Sequence, residues 1–197
     1  MKNIDEELKN AIVNDDIVFL EEYKDKFDIN HRLKDDNNDT LLLFALSDPK
    51  SKTYEYLLRN NADYSLINDE GEGAIHSIVY SGLPDRISQV LNIGKCNINL
   101  QSKEGITPIL LSVLLEKYEV FNYLLKIGAD INIHDNEGNT PLHPACFLGY
   151  KTMVIKLVEN GANVFAKTVK GNLPLALAVN GEHEEIVKYL YNRIYGK

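Results

Sequence analysis

His143 and Cys146 stand three residues apart in TPLHPACF. On a helix that spacing puts an imidazole and a thiol on one side, where both can reach one zinc ion. A closed zinc site needs four ligands, and no second pair completes the set, so no metal is expected. Cys96 is the other cysteine, and no CxxC occurs. A catalytic thiol needs a partner base and an electropositive setting, and the sequence supplies neither for Cys96. His31, His134 and His183 are scattered and are expected on the surface or in loops. His76 is expected to be structural. Carboxylates cluster at Asp35-Asp36, at Asp69-Glu70 with Glu72, and at Asp135 with Glu137. A glycosidase requires two carboxyls facing one sugar at a set separation. Turn-forming propensity accounts for these residues more simply. No phosphate-binding glycine loop, nucleophile elbow or kinase signature is present. The chain is therefore not expected to be an enzyme or to carry a cofactor.

The 197 residues are 44% apolar and 25% charged, which places the chain with soluble globular proteins and not with disordered ones. Its formal net charge is −8. Broad nucleic-acid binding needs a basic face, and anionic membranes repel an acidic one, so neither partner is expected. Two cysteines cannot make a disulfide framework and fit a reducing compartment. The start, MKNIDEELKN, is charged and amphipathic, without the apolar core of a signal peptide. No apolar run approaches a membrane span. The expected location is the cytoplasm, or an exported protein that leaves by a route without a Sec-type signal.

The elements that position these residues repeat. Gly105, Gly138 and Gly171 are spaced by 33 residues, a period that signals stacked helical repeats. Each unit opens on a polar turn with a glycine suited to left-handed backbone, at Gly71, Gly105, Gly138 and Gly171. Asn38 takes that place in the second unit. Thr107-Pro108 and Thr140-Pro141 then pair an N-cap hydroxyl with a proline at the first helical position. Thr40-Leu41 keeps the cap alone, and Gly73-Ala74 and Leu173-Pro174 are weaker versions. A short helix follows, then a second one. Its inward residues recur at helical spacing as Phe121, Leu124 and Leu125, as Val154, Leu157 and Val158, and as Val187 with Leu190. It stops at Gly94, Gly128, Gly161 or Asn61. One domain, 1–197, is expected, with units near 4–34, 35–67, 68–101, 102–134, 135–167 and 168–197. The third unit has an extra residue around Lys95-Cys96 and should close in a bulge. Atypical end units are expected, because each has one neighbour only.

DNEGNTPLHPACFLGY with VIKLVENGAN at 135–163, and KEGITPILLSVLLEKYEVFNYLLKIGADIN at 103–132, resemble the ankyrin repeat family. The resemblance covers nearly the whole chain. It implies an all-α solenoid of about six helix-turn-helix units with projecting hairpin-like loops. It also implies that Thr and His of the TPLH motif hold neighbouring turns and helices together. His143 and His76 sit at that His position. Leu110, Leu43 and Ala176 replace it elsewhere, so the polar network between repeats should be incomplete. Cys146 occupies a small core position that the family usually fills with alanine.

In this family partners bind the concave side, at the finger tips and the exposed face of each first helix. By position, the exposed pairs are Val13 and Asn14, Ser47 and Asp48, Tyr80 and Ser81, Leu114 and Leu115, Phe147 and Leu148, and Asn180 and Gly181. Tyr80, Leu114, Leu115, Phe147 and Leu148 would form an apolar ridge, as at partner sites. The alternative is that these side chains fold back and cover the core. The fingers add Asp35, Asp36, Asp39, Asp69, Glu70 and Glu72, with Glu137 in the fifth unit, Lys103 and Glu104 in the fourth, and Lys167 and Lys170 in the last. The acidic set should favour a partner with a basic patch, mainly by steering association. The expected function is a protein–protein interaction module of adaptor or inhibitor type, monomeric alone. The alternative is a structural or self-associating repeat module with no separate partner.

Overall fold

A computed structural model describes residues 3–34, 36–93 and 96–196. Asp35, Gly94 and Lys95, named above for a finger charge, a helix stop and a bulge, lie outside the described residues. Among the described residues twelve α-helices fall in six consecutive pairs. These are α1 (Ile4–Val13) with α2 (Ile17–Tyr23), α3 (Leu41–Ser47) with α4 (Thr53–Arg59), and α5 (Ala74–Ser81) with α6 (Asp85–Ile93). They continue as α7 (Pro108–Leu114) with α8 (Tyr118–Lys126), α9 (Leu142–Phe147) with α10 (Lys151–Glu159), and α11 (Pro174–Asn180) with α12 (Glu184–Tyr195). The strands are two residues long, β1 (Arg32–Leu33) and β2 (Asp39–Thr40), antiparallel across one finger. The chain divides into two compact units, Met1–Lys103 and Glu104–Lys197. In the first, α1, α3 and α5 pack side by side. In the second, α7, α9 and α11 do.

Local chemistry starts these helices as expected at two places. The Thr40 hydroxyl accepts from Leu43 N–H at 3.3 Å, and the Thr107 hydroxyl accepts from Leu110 N–H at 3.4 Å with Pro108 at the first turn. Thr140 departs from the pattern. Its hydroxyl lies 3.0 Å from the His143 ring and caps no helix N–H. Second helices bury Leu57 and Leu58, Ile87 and Val90, Phe121 and Leu124, and Leu157 and Val158. In the last pair Ile186 and Leu190 point inward, and Val187 is only half-buried. Leu125 is half-buried too.

The fingers are joined by backbone bonds at the same period as the sequence. In the first unit Asp69 N–H donates to the Asn37 carbonyl and Lys103 N–H to the Glu70 carbonyl, both at 2.8 Å. In the second, Asn136 N–H reaches the Glu104 carbonyl at 2.9 Å and Val169 N–H the Glu137 carbonyl at 2.7 Å. This contact restricts the finger glycine as strongly as its backbone does. Gly138 has φ 81°, and a Cβ there would meet Thr168 Cα and Val169 N at 2.9 Å. Gly171 has φ 79° but nothing within 4 Å, because no finger follows it among the described residues. Asn38 and Asn61 hold φ of 54° and 61°, as their places in the pattern imply.

The first unit departs from the repeat between α3 and α4. The Arg86 side chain of α6 enters this loop, although Arg86 is only 4% exposed. Its guanidinium donates to the carbonyls of Leu46 at 2.9 Å, Asp48 at 2.7 Å and Ser51 at 2.7 Å, with longer bonds to Ala45 and Pro49. It also stacks over the Tyr54 ring, 4.5 Å from the centroid. From the other side Asp15 Oδ1 accepts from Lys52 N–H at 2.7 Å, Thr53 N–H at 3.0 Å and the Ser51 and Thr53 hydroxyls. A cation thus closes the C-terminal end of α3 and an anion the N-terminal end of α4, which is the favourable sense for both helix dipoles.

Candidate functional surface

The zinc pair resolves into packing. His143 is fully buried, with Nδ1 facing the Thr140 N–H at 3.1 Å and Nε2 facing the Ala166 carbonyl at 3.1 Å. The ring therefore accepts at Nδ1 and donates at Nε2, which leaves neither nitrogen for a metal. Burial pushes its pKa below the ordinary value, against the bonds it makes. The Cys146 thiol is fully buried and pushed up to about 12, and burial pushes Cys96 up to about 11. Neither has thiolate character. Among the described residues no group of three His, Cys, Asp or Glu side chains could hold a metal ion.

Two of the scattered histidines also hold the fold together. His31 Nε2 lies 2.6 Å from Oδ1 of the buried Asp5, and Asp5 Oδ2 accepts from Lys34 N–H at 3.1 Å. The bond from His31 lowers the Asp5 pKa; burial opposes it, and the Lys34 N–H adds to the lowering. His183 Nε2 lies 2.9 Å from the Phe147 carbonyl, and its ring lies over Gly149. Asp5, Asp15 and Arg86 were absent from the sequence analysis. Asp15, in the turn of the first repeat, has no local signature of a partner in another repeat.

The apolar positions at the ends of the first helices are exposed. Tyr80 is 41% exposed, Leu114 40%, Leu115 39%, Phe147 51% and Leu148 41%, so these side chains do not fold back over the core. Ser81 is buried, its hydroxyl bonded to the Ile78 carbonyl at 2.8 Å, so that position is not exposed in the third pair. Tyr80 belongs to the first unit and the other four to the second. Within the second unit, Leu114 and Leu115 end α7 while Phe147 and Leu148 end α9, which packs against it.

The acidic finger residues differ among themselves. Asp36 forms an ion pair with Lys9. Asp69 Oδ2 accepts from the Asn38 amide at 2.8 Å, and Glu72 Oε1 accepts from the Tyr80 hydroxyl at 2.7 Å. This last bond joins a finger position to a first-helix position. Glu70 and Glu137 are exposed at their finger tips. Asp135 is spent on its own turn, accepting from Glu137 N–H at 2.9 Å and Asn139 N–H at 2.7 Å. Burial raises the pKa of Asp39; a bond from Asn68 opposes this, and the nearby Glu72 and Asp36 carboxylates raise it further. Arg32, on the same finger, opposes them.

Among the described residues no helix is long and apolar enough to cross a membrane. A search of curated proteins finds no match to the chain. The family described as ankyrin repeats (3 copies) matches residues 75–168 and 117–196, which together span more than half of the sequence. With its 33-residue period, TPLH turn and six helix pairs, the chain belongs to the ankyrin repeat family.

Proposed function

We propose that this chain is a recognition protein of adaptor or inhibitor type. It binds a protein partner through its first-helix ends and finger tips, the side that is concave in this family. Ankyrin repeats are generally protein–protein interaction modules and typically non-enzymatic. One observation carries the reading. Leu114, Leu115, Phe147 and Leu148 are exposed on neighbouring helices, in slots that hold Val13 and Asn14, Ser47 and Asp48, and Asn180 and Gly181 in the outer pairs, where Val13 alone is apolar. Four clustered apolar residues in surface slots that are mostly polar in the outer pairs mark a place where water is meant to be displaced.

The acidic fingers have a separate role. Asp36, Asp69, Glu70 and Glu72 of the first unit, and Glu137 of the second, orient a partner that has a basic patch and accelerate its approach. The whole chain acts as one such module, with no cofactor, in the cytoplasm or after export without a Sec-type signal. A pull-down from lysate of the source organism, run beside Leu114→Glu and Phe147→Glu variants of unchanged melting temperature, tests the apolar site. A protein held by wild type and released by the variants is the expected result. Equal retention by all three would sink the assignment of the ridge. For the steering role, the association rate should fall as salt is added, and a rate indifferent to salt would remove it.

A further inference from the structure

In every pair but α3–α4 the turn between the two helices carries one residue in left-handed conformation. Gly82 and Gly149 fill that slot, but Asp15, Glu116 and Glu182 fill it too, at φ of 50°, 54° and 59°. A glutamate there is strained, and its long side chain is not among those that relieve the strain by bonding locally. Asp15 has a reason inside the fold, since its carboxylate caps α4. Glu116 and Glu182 are exposed. The Glu116 side chain meets only the Tyr150 hydroxyl, at 3.4 Å, and Glu182 has no side-chain bond among the described residues. Gly149 stands between them in the array, and the His183 ring occupies the space where its side chain would go, 2.5 Å from a Cβ. The second unit thus places a carboxylate in the turn that follows Leu114 and Leu115 and another in the turn after α11, and none in the turn after Phe147 and Leu148 that stands between them.

The geometry points to a partner segment with an apolar stretch bracketed by two cationic side chains, laid across α7, α9 and α11. The apolar stretch covers Leu114, Leu115, Phe147 and Leu148, and lysine or arginine side chains meet Glu116 and Glu182. This rests on the reading above that the apolar row is a docking surface. Neighbouring packed helices lie about 10 Å apart, so the two carboxylates are about 20 Å apart. A span of that length takes about six residues of extended chain or about thirteen of helix.

The test is a selection from a displayed random peptide library, panned on the full chain and on Phe147→Glu, Glu116→Gln/Glu182→Gln and Glu116→Lys/Glu182→Lys variants. All are first checked for wild-type melting. Synthetic peptides of the selected sequence are then titrated by fluorescence anisotropy. Peptides selected on wild type should carry two cations bracketing apolar residues and should fail on Phe147→Glu. They should weaken about two- to twentyfold on the double Gln variant, as two exposed charge pairs allow. The double Lys variant should select acidic brackets instead. Peptides that fail on Phe147→Glu but lack bracketing cations, or ignore the Gln changes, overturn this inference and leave the docking surface standing. If no peptide prefers wild type to Phe147→Glu, both are overturned.

Discussion

The turn from α3 to α4 and the turn from α9 to α10 occupy the same slot in the repeat and are built from opposite materials. The second is made of backbone. Gly149 takes φ 80°, Tyr150 N–H returns to the Ala145 carbonyl at 2.9 Å, and Lys151 N–H closes on the Gly149 carbonyl at 2.8 Å. The first has no such backbone. Asp48 to Lys52 run as an irregular loop, and two charged side chains from neighbouring pairs, Asp15 and Arg86, supply the bonds that the loop does not make for itself. A repeat therefore tolerates loss of its turn sequence when long side chains can reach the orphaned helix ends. The consequence is that the first turn takes its closing bonds from neighbouring pairs, whereas the second closes through its own backbone and meets its neighbour only at side chains such as His183.

The largest effect should come from removing that reach. Arg86→Met keeps the stem and leaves buried carbonyls between Leu46 and Ser51 unpaired. It should cost about 3 kcal/mol or more, read by denaturant unfolding, with amide exchange rising first across 45–53. A loss below about 1 kcal/mol would show that the loop holds itself. The backbone-built turn breaks differently. In Gly149→Ala a Cβ would press on the His183 ring at 2.5 Å and the left-handed backbone would be strained, for about 2 kcal/mol together. The double variant with His183→Ala should relieve the clash, so the two costs will not add. Additive costs would remove His183 from the account.

A smaller effect sharpens the comparison at the TPLH turn. Leu110 fills in the fourth pair the slot that His143 fills in the fifth, so His143→Leu asks what the imidazole adds. It should cost about 1–2 kcal/mol at neutral pH, because Thr140 N–H and the Ala166 carbonyl lose their partner. The folded-state pKa of His143 is depressed, so its contribution is fully present above the unfolded value of about 6.5 and is lost as pH falls through the folded value. The gap between wild type and variant should narrow in that window, and a gap constant with pH would contradict the buried neutral ring. The smallest effect is expected at Gly171→Ala. It carries only the cost of the left-handed backbone, about 1 kcal/mol, whereas Gly138→Ala must also displace Thr168 and Val169. Equal losses in thermal unfolding would mean that finger contact contributes nothing to the choice of glycine.

Much of the site was legible for the same reason as much of the fold. Asn38 and Asn61 could be assigned left-handed backbone, and Leu114 and Phe147 exposed surface, because their roles repeat at a fixed offset. Ser81 and Val187 broke the pattern. The Ser81 hydroxyl turns inward to the Ile78 carbonyl, and beside Val187 the neighbouring Ile186 fills the core. Glu116 and Glu182 lay unnoticed at the glycine slot, since only the observed φ shows that a glutamate stands where the backbone favours glycine.

The sequence by itself determined the period, the helix pairs, the left-handed finger turns and the identity of the apolar row. Those depend on φ and ψ preferences and on apolar spacing within one repeat, which neighbouring residues encode. Tertiary structure alone decided that Arg86 and Asp15 rebuild a turn, that Asp5 meets His31, and that Tyr80 bonds to Glu72. Each of these joins groups brought together by the stacking of repeats or the folding back of a finger. A side chain's reach across such a contact depends on where the other backbone lies, and local spacing does not encode that.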